Sequence, residues 1–297
     1  MELNKANVSD FFQTLSSAFD KGVAVAKPQL RGLVSRDVPS AGDQNKYAWG
    51  GLDHSMREWV GDRHVKNPNS HNWAIVNKTY EWTMGVSRET FEDDSYGIYA
   101  IRAEDGGYAA SVHSEKLIAD LLVDSFSTAC YDGQYMIDSD HPDAEGGTQS
   151  NIVAGGAGTP WFLVDASKPM RPIIFQPRRD YKFREIAGLD SEHCNKKNEL
   201  LYGVDARIGA GYGLWQLIAG SLNTLDSTNF NTMRTQMMNL HSDENSDEKL
   251  GVMPTHLICA PANESAARTL LLAQYGSGGA DNIWYNAVKL IVDPRLS

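Results

Sequence analysis

The chain has 297 residues, of which 41% are hydrophobic and 22% charged, values that fit one large folded domain or two intimate lobes and exclude global disorder. Its 27 basic and 38 acidic residues leave a formal charge of −11, opposite in sign to that of a dedicated nucleic-acid binder. No run approaches the roughly 18 consecutive apolar residues of a membrane span, and the opening MELNKANVSDFF lacks the basic patch and apolar core of a signal peptide.

In chain order, the first expected element is a short amphipathic helix from Ser9 to Gly22, capped by Ser9 and ended by Gly22. It carries Phe11, Phe12, Leu15 and Phe19 on one stripe. Residues 23–46, with Pro28, Gly32, Pro39 and Gly42, read as extended. Residues 47–86 are rich in strand formers (Tyr47, Trp49, Trp59, Trp73, Ile75, Tyr80, Trp82) interrupted by Gly50-Gly51, and read as a long hairpin-like excursion. Ser87 opens a helix with acidic residues in its first turns, and Ser114 caps another whose apolar face is Leu117, Ile118, Leu121, Leu122 and Phe126, with Glu115 pointing away. Double glycine at 106–107 predicts a break between the two.

Residues 138–159 read as loop, followed by strands at 161–164, 172–176 and 200–204. A helix is expected at 228–240 with Phe230, Met233, Met237 and Leu240 on one face, then an acidic loop at 243–248. A buried strand at 255–260, a helix near 262–273 and a strand at 287–292 close the chain. Strands and helices alternate without regular βαβ spacing, which predicts an α+β fold.

Chemistry-bearing motifs are sparse. Asp138, Asp140 and His141, with Asp143, could present carboxylates and an imidazole to a divalent cation, and would define a metal-dependent enzyme; a solvated turn is the stronger reading. Gly209 to Gly213 lacks the remaining positions of a phosphate-binding fingerprint and reads as close backbone approach beside Trp215. Cys130, Cys194 and Cys259 are odd in number and show no zinc spacing, so reduced thiols in a cytoplasmic product are expected. No cofactor is expected. The run Arg171, Arg178, Arg179, Lys182 and Arg184 is a solvated face or, as a second reading, a contact for an acidic neighbour.

Six blocks carry a resemblance: WGGLDHSMREWVGDR (49–63), IVNKTYEWTMGVSRETFEDDSYGIYA (75–100), CYDGQYMIDSDHP (130–142), PWFLVDASKPMRPIIFQPRR (160–179), AGYGLWQ (210–216) and LGVMPTHLICAP (250–261). In this order they resemble the major head (capsid) subunits of Mu-like tailed phages. The resemblance implies an HK97-type capsid fold: N-terminal arm (1–46), extended two-stranded loop (47–86), long spine helix and start of a peripheral domain (87–150), and a peripheral and axial body (151–297). It implies a structural protein of the virion, not an enzyme. Copies would assemble in the host cytoplasm into hexamers and pentamers of an icosahedral shell, enclosing double-stranded DNA without sequence-specific binding. The partners implied are the chain itself, a separate scaffolding protein, a portal and, where the shell is decorated, a decoration protein, with no membrane. An encapsulin-like compartment shell is the nearest alternative.

Interfaces favour aromatics and arginine. The expected intersubunit contacts are therefore Phe11, Phe12, Phe19, Trp49, Trp59, Trp73 and Trp82, with Arg63, Arg178 and Arg179. Gly50-Gly51 and Gly106-Gly107 are expected joints between fivefold and sixfold environments, and loss of residues 1–22 is expected to leave a soluble subunit that builds no shells.

Overall fold

The computed structural model describes residues 4–49, 71–93, 97–143, 146–242, 249–276 and 279–297. Helix α1 runs Lys5–Val25. It starts earlier than Ser9 because the Asn4 side chain accepts the N–H of Asn7 at 2.8 Å, satisfying a free donor of the first turn. Val8, Phe12, Leu15, Phe19 and Gly22 are buried along one face, at alternating spacings of four and three. Gly22 is thus inside the helix, not at its end. The segment expected to be extended instead holds α2 (Leu30–Val34), β1 (Ser35–Asp37) and the start of β2 (Gln44–Trp49).

Strand β2 pairs antiparallel with β3 (His71–Val76), from Gln44 opposite Val76 to Trp49 opposite His71. This is the stem of the anticipated excursion; residues 50–70, with Gly50-Gly51, Trp59 and Arg63, lie outside the described residues. Strand β4 (Lys78–Ser87) then enters the body, and Ser87 Oγ accepts the N–H of Thr90 at 3.2 Å to start α3 (Arg88–Asp93).

Next comes α4, an unbroken helix from Ile98 to Asp124. The expected break at Gly106-Gly107 does not occur, and Ser114 is a buried residue within the helix, not its cap. Gly107 faces α1 so closely that a Cβ there would meet the Phe19 carbonyl oxygen at 2.1 Å, and one on Gly22 would meet the Glu104 carbonyl oxygen at 1.9 Å. The two glycines let the helix backbones touch. That contact, with the aromatic side chains of α1, outweighs the roughly 1 kcal/mol by which each glycine disfavours a helix.

Beyond α4 the chain forms β5 (His141–Pro142), β6 (Thr148–Gln149), β7 (Ile152–Val153), β8 (Trp161–Val164) and β9 (Ile173–Ala187). Then follow α5 (Glu192–Lys197), β10 (Glu199–Tyr212), β11 (Ile218–Ser221), α6 (Ser227–Asn239), β12 (His256–Cys259), α7 (Glu264–Leu271) and β13 (Lys289–Val292). One sheet has the order β1-β9-β10-β4 and a second β13-β12-β8-β11-β7. The first packs with α1 and the N-terminal half of α4 through Phe12, Leu15, Val86, Phe91, Tyr99 and Tyr202. The second surrounds Trp161, Phe162 and Trp215, and this larger core includes Ile118, Ala119 and Leu122 from the other end of α4. One helix therefore belongs to both cores.

Glu115, read from the sequence as outward-facing, is 2% exposed. Its carboxylate accepts the N–H groups of Gln29, Leu30 and Arg31 at 3.0, 2.9 and 2.7 Å, and so fastens the start of α2 to α4. Three charge-assisted bonds offset the loss of hydration that otherwise keeps glutamate outside.

Two outcomes follow. Gly107→Ala is expected to lower stability by about 1–3 kcal/mol through overpacking, read as a lower urea midpoint, while Gly32→Ala, with open space around its added methyl, leaves it unchanged or raised. Equal behaviour of the two variants contradicts the close crossing. Deleting residues 1–22 is expected to give an insoluble or molten chain by circular dichroism and dye binding, since Val8, Phe12, Leu15 and Phe19 leave the core; a well-folded truncated subunit contradicts this.

Candidate assembly surfaces

The aromatic residues of α1 do not wait for a neighbour. Phe12 and Phe19 are 6% and 2% exposed within their own chain. The expectation that they contact another subunit is therefore corrected: at helical spacing they face α4, and burial there leaves them no surface to share. Phe11 is half-buried and meets Phe91 edge-on at 5.1 Å and Tyr99 at 6.2 Å.

At the root of the β2–β3 stem, polar side chains clamp the hairpin to the body. Gln176, fully buried in β9, donates from Nε2 to the Ile75 carbonyl at 3.0 Å and to Asn77 Oδ1 at 3.2 Å, and its Oε1 accepts the Tyr47 hydroxyl at 2.6 Å. Asn77 Nδ2 donates to Ser40 Oγ at 2.7 Å and to the Gly42 carbonyl at 3.1 Å. Below it, Gly211 comes so near Ile75 that a Cβ would lie 2.8 Å away, in line with the close approach read from 209–213. The stem thus leaves the body from a fixed root. Trp73 on the stem is half-buried against the large core, and of Trp49 only the backbone is described.

A groove of about 490 Å³ lies between α4 and the first sheet. Trp82, Tyr80, Met84, Ala109, Val204 and Ala206 line it, with Glu81, Arg102 and Asp105 among its polar residues. Trp82 is half-buried, and its ring fills the space a side chain on Gly106 would need, 2.8 Å from that Cβ position. His113 Nδ1 and the Tyr181 hydroxyl are 2.7 Å apart at the groove. Burial, helped by the charge of Lys116, lowers the His113 pKa, and burial raises that of Tyr181, so both are held neutral there. Beside the groove, Ile98, Ile101 and Tyr108 form a stripe along α4 with 49%, 63% and 49% of their surface in solvent. Sequence reasoning passed over this stripe, although its spacing of three and seven was the signal.

The basic run on β9 is partly spent inside the chain. Arg179 pairs with Asp205 at 2.6 Å and Arg184 with the same carboxylate at 3.1 Å, across the β9–β10 ladder. Arg179 is therefore not the free interface cation expected of it, while Arg178 on the opposite face stays exposed.

The Asp138 and Asp140 carboxylates meet each other, but His141 does not join them as a ligand set. Asp138 accepts the N–H groups of Tyr135 and Ser139 at 3.2 and 2.7 Å, and Asp140 is exposed. His141 is fully buried, stacked on Trp215 at 3.8 Å and joined through Nδ1 to Asp132 at 2.7 Å. Asp132 in turn accepts the Cys130 thiol at 2.9 Å. Burial opposes the charge of Asp132, but bonds from His141 and Cys130 outweigh it and hold its pKa below the usual carboxylate range. Burial above all, and then the neighbouring carboxylate, pushes the Cys130 thiol up. The enzyme reading loses its ligand set, and a different trio appears that the zinc-spacing rules missed, because its members are two and nine positions apart.

A family model described as the Mu-like prophage major head subunit gpT matches residues 8–296. The chain belongs to the Mu-like major head subunit family. It is 35% identical over a 308-residue alignment to the major capsid protein of Escherichia phage Mu, with all of both chains covered. It is 34% identical to the Mu-like prophage FluMu major head subunit of Haemophilus influenzae, over 89% of this chain and 88% of that one. Among solved structures, a chain of the bacteriophage JBD30 procapsid superposes with a TM-score of 0.86 at 30% identity, covering 99% of this chain and 100% of that one. A chain of the JBD30 capsid gives 0.80 at 24% identity over 92% of each. The expected HK97-type fold, here with the stem of its hairpin and its spine helix, is the fold found, and this Mu-like head subunit is a structural protein and not an enzyme. No helix among the described residues is long and apolar enough to cross a membrane.

Replacing Gln176 by Leu is expected to loosen the hairpin root. Each lost bond that leaves a buried partner unsatisfied costs about 1–3 kcal/mol, and amides of residues 71–77 should exchange with deuterium faster than in the parent. Unchanged exchange there would show that the stem is held by other contacts.

Proposed function

We propose that copies of this head subunit close into hexamers and pentamers of an icosahedral shell around double-stranded DNA. The observation that carries this reading is the apolar stripe Ile98, Ile101 and Tyr108 beside a Trp82-lined groove on a helix otherwise built into two cores. A folded chain gains about 25 cal/mol for each Å² of such surface it removes from water, and identical patches meeting head to tail generate rings. In this account Phe11, Trp49, Trp59, Trp73, Trp82, Arg63 and Arg178 contribute to contacts between subunits. The hairpin supplies reach from a fixed root, the paired stem of Gln44–Trp49 with His71–Val76.

The net charge of −11 suits a wall that surrounds DNA without gripping it. A separate scaffolding protein and a portal complete the assembly in the host cytoplasm. A decoration protein is a further partner, by analogy with the JBD30 capsid decorated with minor capsid protein trimers. The residues before the hairpin play a different part from the one the sequence suggested: α1 is a core helix of its own subunit, and only its half-exposed side is left for neighbours.

Electron microscopy of the chain expressed with its scaffolding protein tests this. The parent is expected to give hollow, closed particles. Ile101→Glu should melt within a few degrees of the parent yet sediment as single subunits or small rings. Normal particles from that variant would remove the stripe from the interface.

A further inference from the structure

Just after α4 the chain makes a tight turn in which the Cys130 N–H bonds the Gln134 carbonyl at 2.7 Å and Gly133 takes a φ of +93°. The turn sets the Cys130 thiol and the Asp132 carboxylate side by side. Strand β5 brings His141 onto the other carboxylate oxygen. Cys130 Sγ to Asp132 Oδ1 is 2.9 Å, and His141 Nδ1 to Asp132 Oδ2 is 2.7 Å. All three groups are withdrawn from solvent: Cys130 is 1% exposed, the His141 side chain 0% and the Asp132 side chain 5%. Each offers one ligand atom, and these atoms lie within 4.8 Å of one another.

The geometry points to a buried site for a single divalent transition-metal ion, zinc by preference, held by Cys130, Asp132 and His141. Thiolate, imidazole and carboxylate together are the donor set of zinc, not of the oxygen-seeking calcium or magnesium. Ligand atoms on one such ion stand roughly 3.5 Å apart, so the trio needs only a small outward adjustment. His141 turns Nδ1 to Asp132, so Nδ1 is the nitrogen that would hold the ion, while Nε2, on the far side of the fully buried ring, has no hydrogen-bond partner.

Binding exchanges the thiol proton for the cation. The S–H bond breaks, a metal–sulfur bond forms and that proton leaves to solvent, while the imidazole binds through Nδ1 in its neutral form with its remaining proton on Nε2. No electron transfer is involved. The ion would staple the turn that follows α4 to β5, whose His141 is stacked on Trp215 at 3.8 Å. It would stiffen the join between the spine helix and the second sheet. This site is independent of how subunits meet in the shell.

The test uses the full-length subunit, stripped with a chelator and titrated with Co²⁺. Expected are one equivalent per chain, visible bands of a four- or five-coordinate ion and a near-ultraviolet sulfur-to-cobalt charge-transfer band. One equivalent of Zn²⁺ should displace the cobalt and raise the melting temperature of the parent protein. Cys130→Ser should abolish the charge-transfer band, and Asp132→Asn or His141→Gln should weaken binding by at least about tenfold. Absence of stoichiometric cobalt bands in the parent overturns the proposal without reliance on any variant. So does a charge-transfer band that survives in Cys130→Ser, which would assign the thiolate to Cys194 or Cys259.

Discussion

The constraint on which the architecture rests is the contact between α1 and α4 where Gly22 and Gly107 bring the helix backbones together. Close crossing lets Phe12, Leu15 and Phe19 reach past α4 to the first sheet and form a continuous apolar layer. It also holds α4 unbroken through a pair of glycines that would fray in isolation. An unbroken α4 carries Ile118, Ala119 and Leu122 into the second core, so the two sheets are coupled through one helix. Glu115 adds a polar fastening midway by capping α2 with three hydrogen bonds. A shell subunit is loaded from every side by its neighbours, and a spine shared between two cores spreads such loads over the whole chain.

Division of surface follows from this frame. Nearly all the large aromatic residues before the hairpin are consumed by the subunit's own core, which is why the segment taken for an arm is a structural helix. Among the surfaces left available are the outward stripe of α4, the groove between α4 and the first sheet, and the hairpin held at its root by Gln176 and Asn77. These features need the body to be finished first. In the assembly proposed above, folding and assembly are successive events, the first closing the cores and the second covering the stripe.

Much of the fold could be read directly. The run Thr255–Ala260 reads as a buried strand and is found as His256–Cys259, and the helix at 228–240, read from Phe230, Met233, Met237 and Leu240 recurring at helical spacing, is found as Ser227–Asn239. The six ordered sequence blocks carried the family. Local rules failed where tertiary contact reversed them. Gly106-Gly107 reads as a break until Phe19 and Trp82 are placed against it. Glu115 reads as solvated until the N–H groups of α2 are brought to it across more than eighty residues. The pairing of Arg179 with Asp205 depends on the β9–β10 register, which sequence alone does not provide. Among the assembly surfaces, the α4 stripe is hidden in the sequence because its two isoleucines and one tyrosine are outnumbered by aromatic residues, such as Phe12 and Phe19, that the chain buries in its own core. The Cys130, Asp132 and His141 trio was hidden because its convergence depends on a turn and a two-residue strand.

Hydrogen exchange of the free subunit, read by mass spectrometry along α4, tests the central claim most directly. The account predicts that amides from Ala103 to Leu122 open together with those of α1, as one cooperative unit with no weak point at Gly106-Gly107. Rapid exchange confined to those two glycines, or release of α1 while α4 stays protected throughout, would contradict it.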